Sequence, residues 1–145
     1  MSSKQTKYVV YVSPREWGIV EPLKTISDYI RSKLKEKLGE VSDHQIARMF
    51  PVLEDFIQGR ELKTTAIARI MGIFERHFGF TSDEEKEEVD EAVARLVDRL
   101  SIMKDEEPVK VFKLVRSLRV LLIGFVRGRL SLPIAVYEKQ SEKVV

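Results

Sequence analysis

The chain has 145 residues, of which 43% are hydrophobic and 33% charged, and its formal net charge is only +2. This length fits one globular domain with a substantial core. The composition excludes general disorder, a collagen-like repeat and a disulfide scaffold, because apolar content is high, glycine is sparse and cysteine is absent.

The first predicted elements are an extended segment and two helices. Residues 8–12 are β-branched and aromatic, which is typical of a strand. Apolar residues then recur every three or four positions over residues 22–38, which predicts a helix that begins at Pro22 and ends at Gly39 in a left-handed cap. The capping-box pattern at residues 42–45 begins a second helix.

Pro51 is expected to kink or split this second helix, which continues to Gly59. A third helix is predicted over residues 62–78, and a second capping box at residues 82–85 begins a fourth, strongly amphipathic one that runs to Met103.

The last helix begins near Pro108, and its apolar residues cover most of its circumference, so we expect it to be the central helix of the fold. The spacing of Gly124 and Gly128 favours close packing and then the end of this helix. A second extended segment is predicted at residues 133–137.

These elements predict an all-α fold, a single domain over residues 1–145. The expected arrangement is a bundle of four or five helices at residues 22–129, with a short extended N-terminal arm at residues 1–21 and a C-terminal tail at residues 130–145.

Neither secretion nor a membrane segment is expected. The N-terminus lacks the apolar run of a signal peptide. The most apolar stretch, residues 109–126, carries four basic residues that are costly at the centre of a bilayer. We therefore expect a cytoplasmic protein.

Charge is segregated along the chain. Residues 1–80 contain 13 basic and 10 acidic residues, residues 81–107 contain 4 and 11, and residues 108–145 contain 8 and 2. Two candidate partner-binding faces follow. The acidic face is Asp83, Glu84, Glu87, Glu88 and Glu91, and the basic face is Lys110, Lys113, Arg116, Arg119, Arg127 and Arg129.

This segregation has two explanations. Acids early and bases late in a helix complement its dipole, and neighbouring helices of opposite sign can pair, so the pattern can be purely structural. Alternatively, the two faces bind a charged macromolecule, since separated fields steer association.

No motif indicates an enzyme. The chain has no glycine-rich phosphate loop, no His-Glu-x-x-His and no nucleophile elbow, so we expect no catalytic residue and no cofactor. With no cysteine and two histidines, we expect no metal site. The basic helix lacks exposed aromatic residues for base stacking, which predicts weak or no direct binding of nucleic acid.

The extended segment, the acidic helix start at 82–91 and the basic last helix with its tail together give a pattern that resembles the small helical-bundle proteins of archaeal hyperthermophile viruses. These include bicaudaviral inhibitors of RNA polymerase. The resemblance implies a viral transcription regulator, present in the host cytoplasm and also in the virion, that occupies the DNA-binding channel of the host RNA polymerase.

Two alternatives stay open. The segment LKTTAIAR at residues 62–69 resembles part of the small helical subunits of type III CRISPR complexes, which line a nucleic-acid filament with basic residues. The third hypothesis is a virion coat protein that wraps DNA. Both alternatives predict nucleic-acid binding with a steep salt dependence set by residues 110–129.

Overall fold

The computed structural model describes residues 8–9 and 14–131. This part of the chain is a helical bundle, so the predicted all-α fold is confirmed. In chain order the elements are β1 (Tyr8–Val9), α1 (Pro14–Leu34), α2 (Asp43–Ile46), α3 (Phe50–Ile57), α4 (Lys63–His77), α5 (Asp83–Glu106), α6 (Pro108–Val126) and β2 (Leu130–Ser131).

Pro51 splits the predicted second helix into α2 and α3. The predicted capping box begins α2: the Ser42 hydroxyl accepts the Gln45 N–H at 3.1 Å, and the Gln45 side chain accepts the Ser42 N–H at 2.8 Å. Pro51 lies in the first turn of α3, where its missing N–H costs no helical hydrogen bond. The described residues therefore form six helices rather than four or five.

Helix α1 begins at Pro14, well before the predicted start at Pro22, so the predicted boundary of an N-terminal arm at residue 21 is wrong. Proline suits the first position of a helix, and Pro14 occupies it here. Pro22 lies inside the helix. The turn before it is held in place because Ile19 and Val20 are buried, and tertiary packing outweighs the local cost of proline.

Helix α1 also ends earlier than predicted, at Leu34 rather than near Gly39. Residues 35–40 form turns, and Gly39 does not adopt the left-handed conformation of the predicted cap. The connection from residue 35 to residue 42, which we call the 35–42 turn, is bound by Arg127 instead. The Arg127 guanidinium donates to the backbone oxygens of Leu38 and Val41, each at 2.8 Å.

Helix α5 packs against four other helices, α1, α3, α4 and α6. Its predicted apolar stripe is confirmed, since Val89, Val93, Leu96, Val97 and Leu100 are all buried. Ion pairs show that α1 runs antiparallel to it: Lys33 near the end of α1 lies 2.8 Å from Glu85, whereas Glu21 lies 2.6 Å from Arg95.

The prediction that the last helix is central is only partly right. Residues 122–126 of α6 are all buried, but the helix before them has one buried and one exposed side. Val109 and Val120 are 71% and 65% exposed. The apolar residues before Leu122 therefore form two stripes, of which only one faces the core.

The end of α6 is built around two glycines, as the sequence predicted. Gly128 has φ of +75° and terminates the helix, with the Arg129 N–H donating to the Gly124 carbonyl at 2.8 Å. Gly124 has no room for a Cβ because the Leu130 side chain covers it. β1 then pairs with β2 in parallel, Tyr8 opposite Leu130.

Of the predicted extended segments, only Tyr8–Val9 is described as a strand, and residues 133–137 lie outside the described residues. Among the helices described, none has both the length and the apolar content to cross a membrane.

Candidate functional site

The start of α5 is fixed by contacts with α1. The Ser82 hydroxyl accepts the Glu85 N–H at 3.1 Å. The predicted capping box is only half formed, because the Glu85 carboxylate accepts the Thr81 N–H at 2.8 Å instead of the Ser82 N–H. The same carboxylate pairs with Lys33, and these contacts hold the pKa of Glu85 below its usual value.

An aromatic cluster anchors the segment that enters α5. The Tyr29 hydroxyl on α1 donates to the Gly79 carbonyl at 2.7 Å, and its ring stacks on Phe80 with 5.1 Å between centroids. Burial raises the pKa of this phenol well above its ordinary value. The position of the α5 N-terminus relative to α1 is therefore set by packed side chains rather than by a free loop.

The predicted acidic face is one continuous surface on this anchored helix. All five carboxylates are exposed, and within the described residues none of them takes part in an ion pair or hydrogen bond. At about 100° per residue, positions 83–91 place the acids within an arc of about 140°, opposite the buried stripe, over a length of about 12 Å. The members are Asp83, Glu84, Glu87, Glu88 and Glu91.

A hollow borders the acidic face on the side of α4. It is open to solvent, with a volume of about 480 Å³, and its lining combines exposed or half-buried apolar side chains with three carboxylates and the Lys86 ammonium group. We call it the α4–α5 groove. Its apolar members are Ile67, Ala68 and Met71, and its acidic members are Asp83, Glu87 and Asp90.

The predicted basic face does not form one surface. Arg127 is bound within the chain, since its guanidinium contacts the Asp43 carboxylate at 2.7 Å in addition to the two carbonyls of the 35–42 turn. Lys110 pairs with Glu107 at 2.8 Å. Arg129 lies beyond the other end of α6. The bases that remain on the outer side or flank of α6 are Lys113, Arg116 and Arg119.

Apolar residues share this surface, although the prediction of a central helix implied that Phe112 and Val120 would be buried. Val109, Phe112 and Val120 are exposed beside Lys113 and Arg116. We call this set of five the α6 ridge. The ridge residues recur every three or four positions on one side of α6. The buried residues lie on a different side, and they are Val111, Val115, Leu118 and Leu122. The sequence signal for the ridge was therefore a second stripe with helical spacing.

The acidic face and the α6 ridge lie on different helices of the bundle. The acidic face belongs to α5 beside α4, whereas the ridge belongs to α6, which packs against α1, α2, α3 and α5. Helix α6 runs back along α5, because the Arg31 side chain near the end of α1 donates to the Val126 carbonyl while Lys33 pairs with Glu85. Among the described residues, no acid of the face contacts a base of the ridge.

The residues described contain no group of three or more side chains that could hold a metal ion. Comparisons of the chain with protein-family models, with curated proteins and with solved structures find no match.

Proposed function

We propose that this chain is a non-enzymatic viral regulator of transcription, which binds the host archaeal RNA polymerase in its DNA-binding channel and competes there with DNA. The observation that supports this proposal is the acidic face: five exposed carboxylates on one side of an anchored helix, without a partner in the described residues.

The charge density of the acidic face is close to that of DNA. Five carboxylates spread over about 12 Å of helix axis have a mean axial spacing of about 3 Å. Double-stranded DNA carries one charge per about 1.7 Å of axis, and each of its strands one per about 3.4 Å. The basic residues that line a DNA-binding channel should therefore attract the carboxylates of α5 much as they attract DNA phosphates.

The second candidate class, direct nucleic-acid binding by the basic face, has less support. Of the six predicted bases, Arg127 contacts its own chain and Lys110 has an acidic neighbour. The bases that remain are too few for a continuous track along a phosphate backbone.

The test uses purified archaeal RNA polymerase and a double variant, Glu88→Gln with Glu91→Gln. Both residues lie beyond the first turn of α5, so the acids that complement the helix dipole stay in place. The matched control is Glu36→Gln with Glu40→Gln, which removes two exposed carboxylates from the turn after α1. Binding is measured by interferometry, together with promoter-complex formation.

We expect the α5 variant to raise the Kd for polymerase at least tenfold, since charge pairs at close interfaces contribute about 1.5 kcal/mol or more. The control should bind like wild type. Duplex DNA should compete with the wild-type chain for polymerase. The proposal is wrong if polymerase does not bind the wild-type chain, or if the chain instead binds duplex DNA with a steep salt slope that Lys113→Gln reduces by about one.

A further inference from the structure

The α4–α5 groove and the α6 ridge are both partly apolar and are predominantly opposite in charge, and we propose that the ridge of one copy of this chain binds the groove of another, head to tail. The groove offers the apolar side chains of Ile67 and Met71 on α4 opposite three carboxylates on α5, and its one base, Lys86, has Glu75 as an acidic neighbour. The ridge offers apolar side chains beside ammonium and guanidinium groups. Both surfaces are therefore partly apolar, and their predominant charges are opposite.

The ridge has the form of a helix that lies in a groove. Val109, Phe112 and Val120 recur at multiples of three and four residues, the spacing of anchors in helix-in-groove recognition. Phe112 is 42% exposed and supplies the large aromatic group that such contacts favour. Lys113 and Arg116 lie between the anchors and have no partner in the described residues.

The partner must be a second molecule because the two surfaces cannot meet within one chain. The groove lies between α4 and the first turns of α5, whereas the ridge lies on the exposed side of α6, away from the stripe that α6 packs into the core. Both helices are packed into the same core, so the surfaces keep their separation. A second copy presents the ridge at the groove without any change in either fold.

A contact of this kind is heterologous. Each copy uses its groove on one neighbour and its ridge on another, so the assembly grows into a ring or an open filament rather than stopping at a two-fold dimer. One helix in one groove buries less than the roughly 1,200 Å² of a stable interface, so association should be weak and concentration-dependent. It should also decrease with salt as the Debye length falls from about 10 Å at 0.1 M to about 3 Å at 1 M.

The test is sedimentation velocity of the full chain, at concentrations up to about 1 mM, the weak end of specific association, in low and in high salt. The ridge variant is Lys113→Gln with Arg116→Gln, and the groove variant is Glu87→Gln with Asp90→Asn. Their controls, Lys35→Gln with Lys37→Gln and Glu36→Gln with Glu40→Gln, make the same change in net charge at exposed positions of the 35–40 turns. Thermal melts check that every variant is folded.

We expect wild type and both controls to form species larger than dimers at low salt. Each surface variant should associate about tenfold more weakly, because each loses two exposed charge pairs of up to about 1 kcal/mol. A mixture of the two surface variants should form mainly 1:1 dimers, since it retains one intact groove and one intact ridge, and larger species would need the two altered surfaces to bind each other. Wild type that stays monomeric, or association that only the ridge variant abolishes, overturns the proposal.

Discussion

Replacing Arg127 by methionine should destabilise the fold without affecting partner binding. The Arg127 side chain is 16% exposed and makes three contacts: with the Asp43 carboxylate at 2.7 Å and with the carbonyls of Leu38 and Val41 at 2.8 Å. Methionine keeps the apolar stem but leaves both carbonyls without this donor.

The expected loss follows from these contacts. A hydrogen bond to a charged group contributes about 1.5–3 kcal/mol, but the carbonyls left behind can partly turn to water, so we expect a total of about 2–4 kcal/mol. For a domain of this size, that lowers the Tm by roughly 5–15 °C. Urea denaturation followed by circular dichroism measures the change in free energy of unfolding.

Arg129→Met is the matched control, because Arg129 is exposed, lies two residues further on and has no partner in the described residues. It should change the stability by no more than about 0.5 kcal/mol. Equal unfolding midpoints for the two variants would refute the reasoning that Arg127 holds the 35–42 turn against α6. A double-mutant cycle with Asp43→Asn then separates the ion pair from the two carbonyl contacts.

Three further predictions concern the start of α5 and the end of α6. Tyr29→Phe should cost about 1 kcal/mol through loss of the hydrogen bond to Gly79, and should remove from an ultraviolet pH titration a phenol whose pKa is raised by burial. Glu85→Gln should be less stable than wild type at neutral pH. Because folding lowers the pKa of Glu85, the difference in stability between the two proteins should be largest above the ordinary carboxyl pKa. It should disappear as the pH falls through the lowered pKa of the folded state. The free energy of unfolding of both proteins, measured from pH 7 to pH 3, tests this. Gly124→Ala should destabilise the wild-type chain by about 1–2 kcal/mol, because the added Cβ overlaps the Leu130 side chain. In a Leu130→Ala background the overlap is gone, and the higher helix propensity of alanine should stabilise the chain by up to about 1 kcal/mol. Urea denaturation of wild type, the two single variants and the double variant measures both changes in the free energy of unfolding.

Sequence patterns predicted a structural feature correctly where that feature depends on residues close together in the chain. The capping box at residues 42–45 joins groups three residues apart, and the stripe from Val89 to Leu100 repeats with the period of one helix. The acidic face follows from the same period, because it is the side of α5 opposite that stripe. These features could therefore be predicted without knowledge of the tertiary structure.

The errors occur where the partner is distant in sequence. Arg127 carries the same charge as Arg129, and only the turn at residues 38–43, far upstream in the chain, distinguishes a structural arginine from a surface one. The early start of α1 has a similar cause, because burial of Ile19 in the core holds the turn before Pro22 in a helix. Proline itself can stand at the first position of a helix or, at a cost, inside one, so Pro22 alone does not locate the start. The α6 ridge was missed because apolar content was taken as burial, although the residues form two stripes.

The requirements of the fold account for only part of the charge segregation. Asp83, Glu84 and Glu85 lie in the first turn of α5, where acids are stabilised by the helix dipole. Glu87, Glu88 and Glu91 lie beyond that turn. In α6 the pattern opposes the dipole, because its last turn contains no basic residue while Lys110 and Lys113 stand near its N-terminus. Pairing between the helices does not compensate, since no acid of the α5 face contacts an α6 base in the described residues. Charges that the fold neither needs nor neutralises are those expected at surfaces selected for binding.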